Sequence, residues 1–149
     1  MNNRLRLGKN FLVCGFFTLF AVAARPAAAD MDLNIDKLSS NGMEVRKLSC
    51  KIESGGLLGS MLIIAELAKH KDGFDKCSSG PAAFATEFTW KRNKPTAARV
   101  TASSDAKANA CVMAEMKKTQ AAVIGTCTAM ILVGDKAKAE AKAEELAKK

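Results

Sequence analysis

The clearest periodicity in the chain is the run AFATEFTWK at residues 83–91. Phe84, Thr86, Phe88 and Trp90 take one parity there, and Ala85, Glu87, Thr89 and Lys91 take the other. A period of two with apolar bulk on one side predicts a half-buried strand, with Trp90 sharing a buried face with Phe84 and Phe88. Arg92-Asn93-Lys94-Pro95 reads as a turn, and residues 97–103 as a second strand with Ala98, Val100 and Ala102 opposite Arg99, Thr101 and Ser103. Residues 125–134 (GTCTAMILVG) are bounded by glycines and predict a third strand. Upstream, Met43 and Val45 alternate, and Leu48, Cys50 and Ile52 then alternate on the opposite parity. That slip of phase predicts a bulge or bend near Arg46-Lys47 within a strand over 43–52. Asn41-Gly42 just before it is a hairpin turn signal, and Leu33, Ile35 and Leu38 supply the partner strand.

Between these runs the period changes to that of a helix. Leu57, Leu58, Met61, Leu62, Ile64, Ala65 and Ala68 recur at helical spacing over 57–70, and Ile63 and Leu67 widen the apolar face. Lys69, His70 and Lys71 suit the negative end of that helix, and Gly73 is read as its stop. Ser103, Ser104 and Asp105 are N-cap candidates for a second helix over 105–119, with Ala106, Ala110, Met113 and Ala114 turned inward. After Gly134 the sequence becomes DKAKAEAKAEELAKK. Its residues favour helix strongly, but alanine and Leu146 offer little to bury, so residues 135–149 are expected to form a surface helix or a mobile tail. No internal repeat is visible.

The first residues have a different character. Arg4, Arg6 and Lys9 precede the uncharged run FLVCGFFTLFAVAA, and Ala27-Ala28-Ala29 gives a small-x-small site before Asp30. This order predicts a signal peptide over 1–29, with the mature chain starting at Asp30. The apolar run of fourteen residues is short beside the about 20 that a spanning helix needs, so no membrane span is expected in the mature chain. Cys14 follows Val13 with only two apolar residues upstream of it, which is not a lipidation site, and it reads as part of the apolar run.

Removing that segment changes the arithmetic. The 149 residues carry 23 Lys and Arg against 15 Asp and Glu, but four of the basic residues leave with residues 1–29. The remaining 19 against 15 give +4, which is ordinary for solubility and a weak argument for nucleic acid that export weakens further. Five cysteines become four, Cys50, Cys77, Cys111 and Cys127. An even number in an exported domain reads as two disulfides; spacings of 27, 34 and 16 contain no close ligand pair for a metal. Sequence alone leaves all three pairings open.

From residue 57 onward the predicted order is helix, strand, strand, helix, strand. With Phe74-x-Lys76-Cys77 closing the first helix, the Phe84–Trp90 strand, Ala98-Arg99-Val100-Thr101 with Ser103-Ser104, and Ala110-Cys111-Val112, the chain resembles the C-terminal domains of TonB and TolA. The nearer resemblance is to cysteine-bearing versions in gliding-motility-type envelope proteins of deltaproteobacteria, over about residues 57–133. The chain departs from that pattern in having Arg92-Asn93-Lys94-Pro95 where a glycine is common, and Ala121-Ala122-Val123 where Phe-Pro is common. The resemblance implies a fold, not coupling to a membrane motor. The expected fold is α+β, a three- to four-stranded antiparallel sheet covered by two helices, forming one disulfide-bonded domain over 30–134. Placing both helices on one sheet face favours Cys77–Cys111 with Cys50–Cys127; the runner-up is Cys50–Cys77 with Cys111–Cys127.

Candidate chemistry is sparse. The chain has no GxSxG, HExxH, P-loop or GxGxxG, and its single histidine, His70, reads as a residue of the last helical turn. Glu53, Glu66, Asp72, Asp75, Glu87 and Glu115 are scattered and read as surface charge. Gly55-Gly56 with Gly59 precede a helix without the Lys or Thr of a phosphate cradle. Lys91, Arg92, Lys94 and Arg99 form a basic hairpin, either a solvated turn or a patch for an anionic envelope polymer or acidic partner. Only Trp90 is at hand for base stacking, so nucleic acid is not expected. No cofactor, metal or catalytic residue is expected. The function expected is therefore a non-enzymatic periplasmic or secreted protein-binding module of the bacterial cell envelope, using strand addition or a helix face. The alternatives are a small structural, stress-protective or immunity-type exported protein, and a hydrolase without a recognisable motif.

Overall fold

The computed structural model describes residues 31–54 and 58–148. The expected signal segment 1–29 lies outside them, as do Gly55-Gly56 and Leu57. The chain is α+β, in the order β1 (Met31–Ser40), β2 (Met43–Ser54), α1 (Leu58–Lys69), α2 (Lys71–Cys77), β3 (Ala82–Lys91), β4 (Lys94–Ser103), a 3-10 turn (Ala106–Ala108), α3 (Asn109–Lys118), β5 (Ile124–Val133) and α4 (Lys136–Leu146). The strands form one sheet in the order β1-β2-β5-β3-β4, and every neighbouring pair is antiparallel. The expected three to four strands and two helices thus become five strands and four helices among the described residues. The hairpin β1–β2 joins the sheet whole, because β5 pairs with β2 on one side and β3 on the other.

Two tight turns set the hairpins. Asn41 and Gly42 both have positive φ (46° and 79°), the left-handed pair that a two-residue turn between twisted strands requires. Arg92 and Asn93 do the same (48° and 71°), so Lys94 and Pro95 belong to β4 and not to the turn. Proline is tolerated there because β4 is an edge strand. The phase slip in β2 is a bulge: its register with β5 shifts between Arg46 and Ser49, and Lys47 has φ 49°. The bulge brings Val45 and Leu48 onto the same buried face despite their spacing.

The main core lies between one sheet face and α1, α2 and α3. Phe84, Phe88 and Trp90 of β3 pack there with Ile63, Ile64 and Leu67 of α1, Phe74 of α2, and Val112 and Met116 of α3. Phe88 and Trp90 meet edge to face, 6.1 Å between ring centroids. Cys50 and Cys127 are directly opposed across β2 and β5 on this face, and the structure joins them, with Cα atoms 4.1 Å apart. A second disulfide, Cys77–Cys111, ties the end of α2 to α3.

α1 buries part of its expected apolar face, Ile64 and Ala68 with Ile63 and Leu67, and α3 buries a different one. In α1 the buried residues are Gly59, Ile63, Ile64, Leu67 and Ala68, while Leu58, Met61, Leu62 and Ala65 face solvent. Both sets fit helical spacing, and the close seat of Gly59 against Ile52 and Val123 selects the first. In α3, Val112 and Met116 are buried with Ala108 before them, and Ala106, Ala110 and Ala114 are exposed. Gly73 does not stop a helix. It sits inside α2, where a Cβ would lie 2.5 Å from a Glu115 carboxylate oxygen, so a larger residue there would require the Glu115 side chain to shift.

The C-terminal segment is a packed helix. Asp135 caps α4 by accepting from the Lys138 N–H at 3.0 Å. Ala139 and Ala143 are buried against Ala83, Met130 and Leu132 on the opposite sheet face. Alanine is what the site needs: the small side chains let α4 approach the sheet closely, and β5 is buried on both faces from Ala129 to Val133. Arg46 pairs with Glu140, joining α4 to the bulge of β2. Burial would raise the pKa of Glu44, but hydrogen bonds from Arg46 and Lys37 outweigh it and hold that carboxyl below its ordinary value.

Candidate docking surface

Among the described residues, the exposed face of α1 carries the three large hydrophobic side chains most open to solvent. Leu58 is 64% exposed, Met61 57% and Leu62 47%. Beside them lies β1, the first strand of the sheet, whose outer edge has no partner among the described residues. Leu38, Ser39 and Ser40 of β1 and the outer side of α1 enclose a groove of about 390 Å³. Gly59 near the start of α1 seats against Ile52 of the hairpin, and the Lys71 side chain at the start of α2 lies beside Gly42 at the hairpin tip.

The two sheet edges are not equivalent. β4 carries Pro95, Lys94 and Arg99, and α3 packs over it, devices that blunt an edge. β1 is ten residues long and has no proline. An unpaired edge offers main-chain donors and acceptors to an extended segment, and the adjoining apolar helix offers side-chain burial. Burying Leu58, Met61 and Leu62 is worth about 1.5–3 kcal/mol each at most. Association costs about 4–15 kcal/mol, so the helix patch alone gives weak binding and the strand edge must contribute.

The expected basic patch is divided. Lys91 and Lys94 face each other at the end of the β3–β4 hairpin with Arg92 in its turn. Arg99 is opposite Glu87 and donates to its carboxylate at 2.6 Å. Lys91, Arg92 and Lys94 remain as a cluster at the tip; Arg99 is neutralised farther along the strand. Among the described residues the four cysteines lie in the two disulfides and supply no free thiol.

His70 lies at the junction of α1 and α2, 3.7 Å from Glu66 and 3.9 Å from Glu115. Burial would raise the pKa of Glu66, but hydrogen bonds from Lys69 and from the Gln120 N–H outweigh it and hold it low. These groups stitch α1 to α3 and to the segment before β5. Among the described residues no group of three or more His, Cys, Asp or Glu is placed to hold a metal.

Two further hollows are occupied by their own pairings. One of about 250 Å³ on the second sheet face is floored by Met130, Ala143 and Ala147 and bridged at its rim by Arg46 and Glu140. The other is a polar cleft where Ser78 donates to Asp105 at 2.8 Å and Lys142 donates to the Pro81 carbonyl at 2.7 Å. Among the described residues no helix is long and apolar enough to cross a membrane.

The α1 surface was missed in the sequence because its residues were assigned to the core. The signal was present as an excess: α1 is apolar on nearly all sides, and one sheet face can cover only one of them. Comparison with family models, with curated proteins and with solved structures finds no match to this chain.

Proposed function

We propose that this chain is a non-enzymatic, exported protein-binding module of the bacterial cell envelope, and that it docks its partner on the open edge of β1 and the outer face of α1. The observation that carries this reading is the adjacency of Leu58, Met61 and Leu62, exposed on α1, to an unpaired ten-residue edge strand. Monomeric proteins rarely leave large side chains grouped in this way without a use for them. Two disulfides support export, since such bonds persist in oxidising compartments. The proposal also takes up the resemblance of residues 57–133 to TonB- and TolA-type C-terminal domains.

The reading is tested by a photo-crosslinking residue placed at position 62 or, as a control, at position 101 on the opposite edge strand. Irradiation of living cells is expected to give a discrete adduct from position 62 and none of the same mass from position 101. Equal labelling at both positions, or no adduct from position 62, would count against it.

A further inference from the structure

Basic residues collect at one end of the sheet. Lys91 and Lys94 are directly opposed where β3 and β4 meet, Arg92 stands in the turn between them, and all three are exposed. Like charges set opposite one another weaken a strand pair. Arg92 also holds a φ of 48°, in a turn position that favours asparagine, aspartate or glycine and that Asn41 fills in the other hairpin. The α3 helix packs along β4 and brings the exposed Lys117 to the same end, beside Thr96 and Ala97. Arg99 pairs with Glu87 and Lys118 with Glu115, whereas Lys91, Arg92, Lys94 and Lys117 enter no ion pair among the described residues. The other acids on the strands at this end are Asp32, directly opposite Lys51, and Glu53 on β2, which β5 separates from β3.

The directions of these cations specify the shape that meets them. Lys91 shares the parity of Glu87 and Thr89, so it and Lys94 leave the sheet on the face away from α3, while Lys117 comes from the face that α3 covers. A linear polymer lying along either face reaches only part of the set, whereas a flat surface laid against the end of the hairpin reaches all of it. The tip carries no large apolar side chain to insert among acyl chains or to stack on a base; Leu58, Met61 and Leu62 lie beside β1, at the far edge of the sheet. We infer that the tip of the β3–β4 hairpin, together with the end of α3, is an electrostatic contact for an anionic lipid bilayer. This goes beyond the docking reading and does not rest on it.

Sedimentation with vesicles tests it. The protein is expected to bind vesicles of mixed phosphatidylglycerol and phosphatidylcholine at about 0.1 M salt and not those of phosphatidylcholine alone. It should be released at about 1 M salt, where the screening length falls from about 10 Å to about 3 Å. Each basic side chain near an anionic surface strengthens binding about fivefold, so Lys91→Gln/Arg92→Gln/Lys94→Gln/Lys117→Gln is expected to weaken it by about 100-fold or more. Lys94→Glu alone, a single exposed change, is expected to cost about tenfold or more. A variant that removes the same charge elsewhere, Lys76→Gln/Lys107→Gln/Lys136→Gln/Lys138→Gln, should bind within about threefold of the original. Equal losses in the two fourfold variants would show that net charge alone acts, and equal binding to neutral vesicles would show an apolar contact. Either result, or no binding to anionic vesicles, would overturn the inference. Tighter binding to soluble polyphosphate than to vesicles at equal phosphate concentration would also overturn it, in favour of a polymer.

Discussion

Replacing Cys50 and Cys127 together by alanine is expected to lower the melting temperature by about 10–20 °C. The bond spans 77 residues, and on the chain-entropy view a loop of that size is worth about 4 kcal/mol. A domain of this size has a net stability of about 5–15 kcal/mol, so the loss is a large share of the whole. Cys50 and Cys127 are each 1% exposed, whereas Cys111 is on the surface and Cys77 is half-buried. A dithiol reductant under native conditions is therefore expected to open Cys77–Cys111 and leave Cys50–Cys127 closed until the protein unfolds. Alkylation and peptide mapping over a reductant series measure this. Simultaneous opening of both bonds would show that the central strands breathe as freely as the α2–α3 junction.

Trp90→Ala is expected to cost about 3–5 kcal/mol, the range for emptying a large aromatic site in a close-packed core. Trp90 is 1% exposed and is held by Phe88. Its indole N–H has no hydrogen-bond partner among the described residues. Trp90→Phe gives up part of the volume but also removes that buried donor, so it is expected to cost far less than the alanine change. Denaturant unfolding gives both numbers. Native emission should be strongly blue-shifted and move red on unfolding. Similar costs for phenylalanine and alanine would mean that the indole nitrogen is solvated or bonded.

The strand alternation was legible because each period had one interpretation. Phe84, Phe88 and Trp90 share a buried face, and the slip between Val45 and Leu48 marks a real bulge at Lys47. The helices were less legible for a definite reason. In α1 two apolar sets, Leu58-Met61-Leu62 and Ile63-Ile64-Leu67, satisfy the same spacing, and only the packing of Gly59 against Ile52 decides between them. In α4 the shortage of bulky residues suggested nothing to bury. Yet Ala139 and Ala143 are buried because their smallness permits a close approach to β5 and β3. Arg99 was grouped with the hairpin cations by its charge; register places it opposite Glu87 instead. The docking surface was hidden by the same ambiguity that misassigned α1, since an exposed leucine and a core leucine look alike in sequence.

Leu58, Met61 and Leu62 separate binding from folding, and the Leu58→Gln/Met61→Gln/Leu62→Gln variant is the most direct test of their role. These side chains are about half or more exposed, so thermal unfolding of the variant should match the original closely. Affinity for the partner captured through position 62, measured with purified proteins, should fall by about 100-fold or more. Unchanged affinity in the folded variant would contradict a docking role for α1, and collapse of the fold would return these residues to the core.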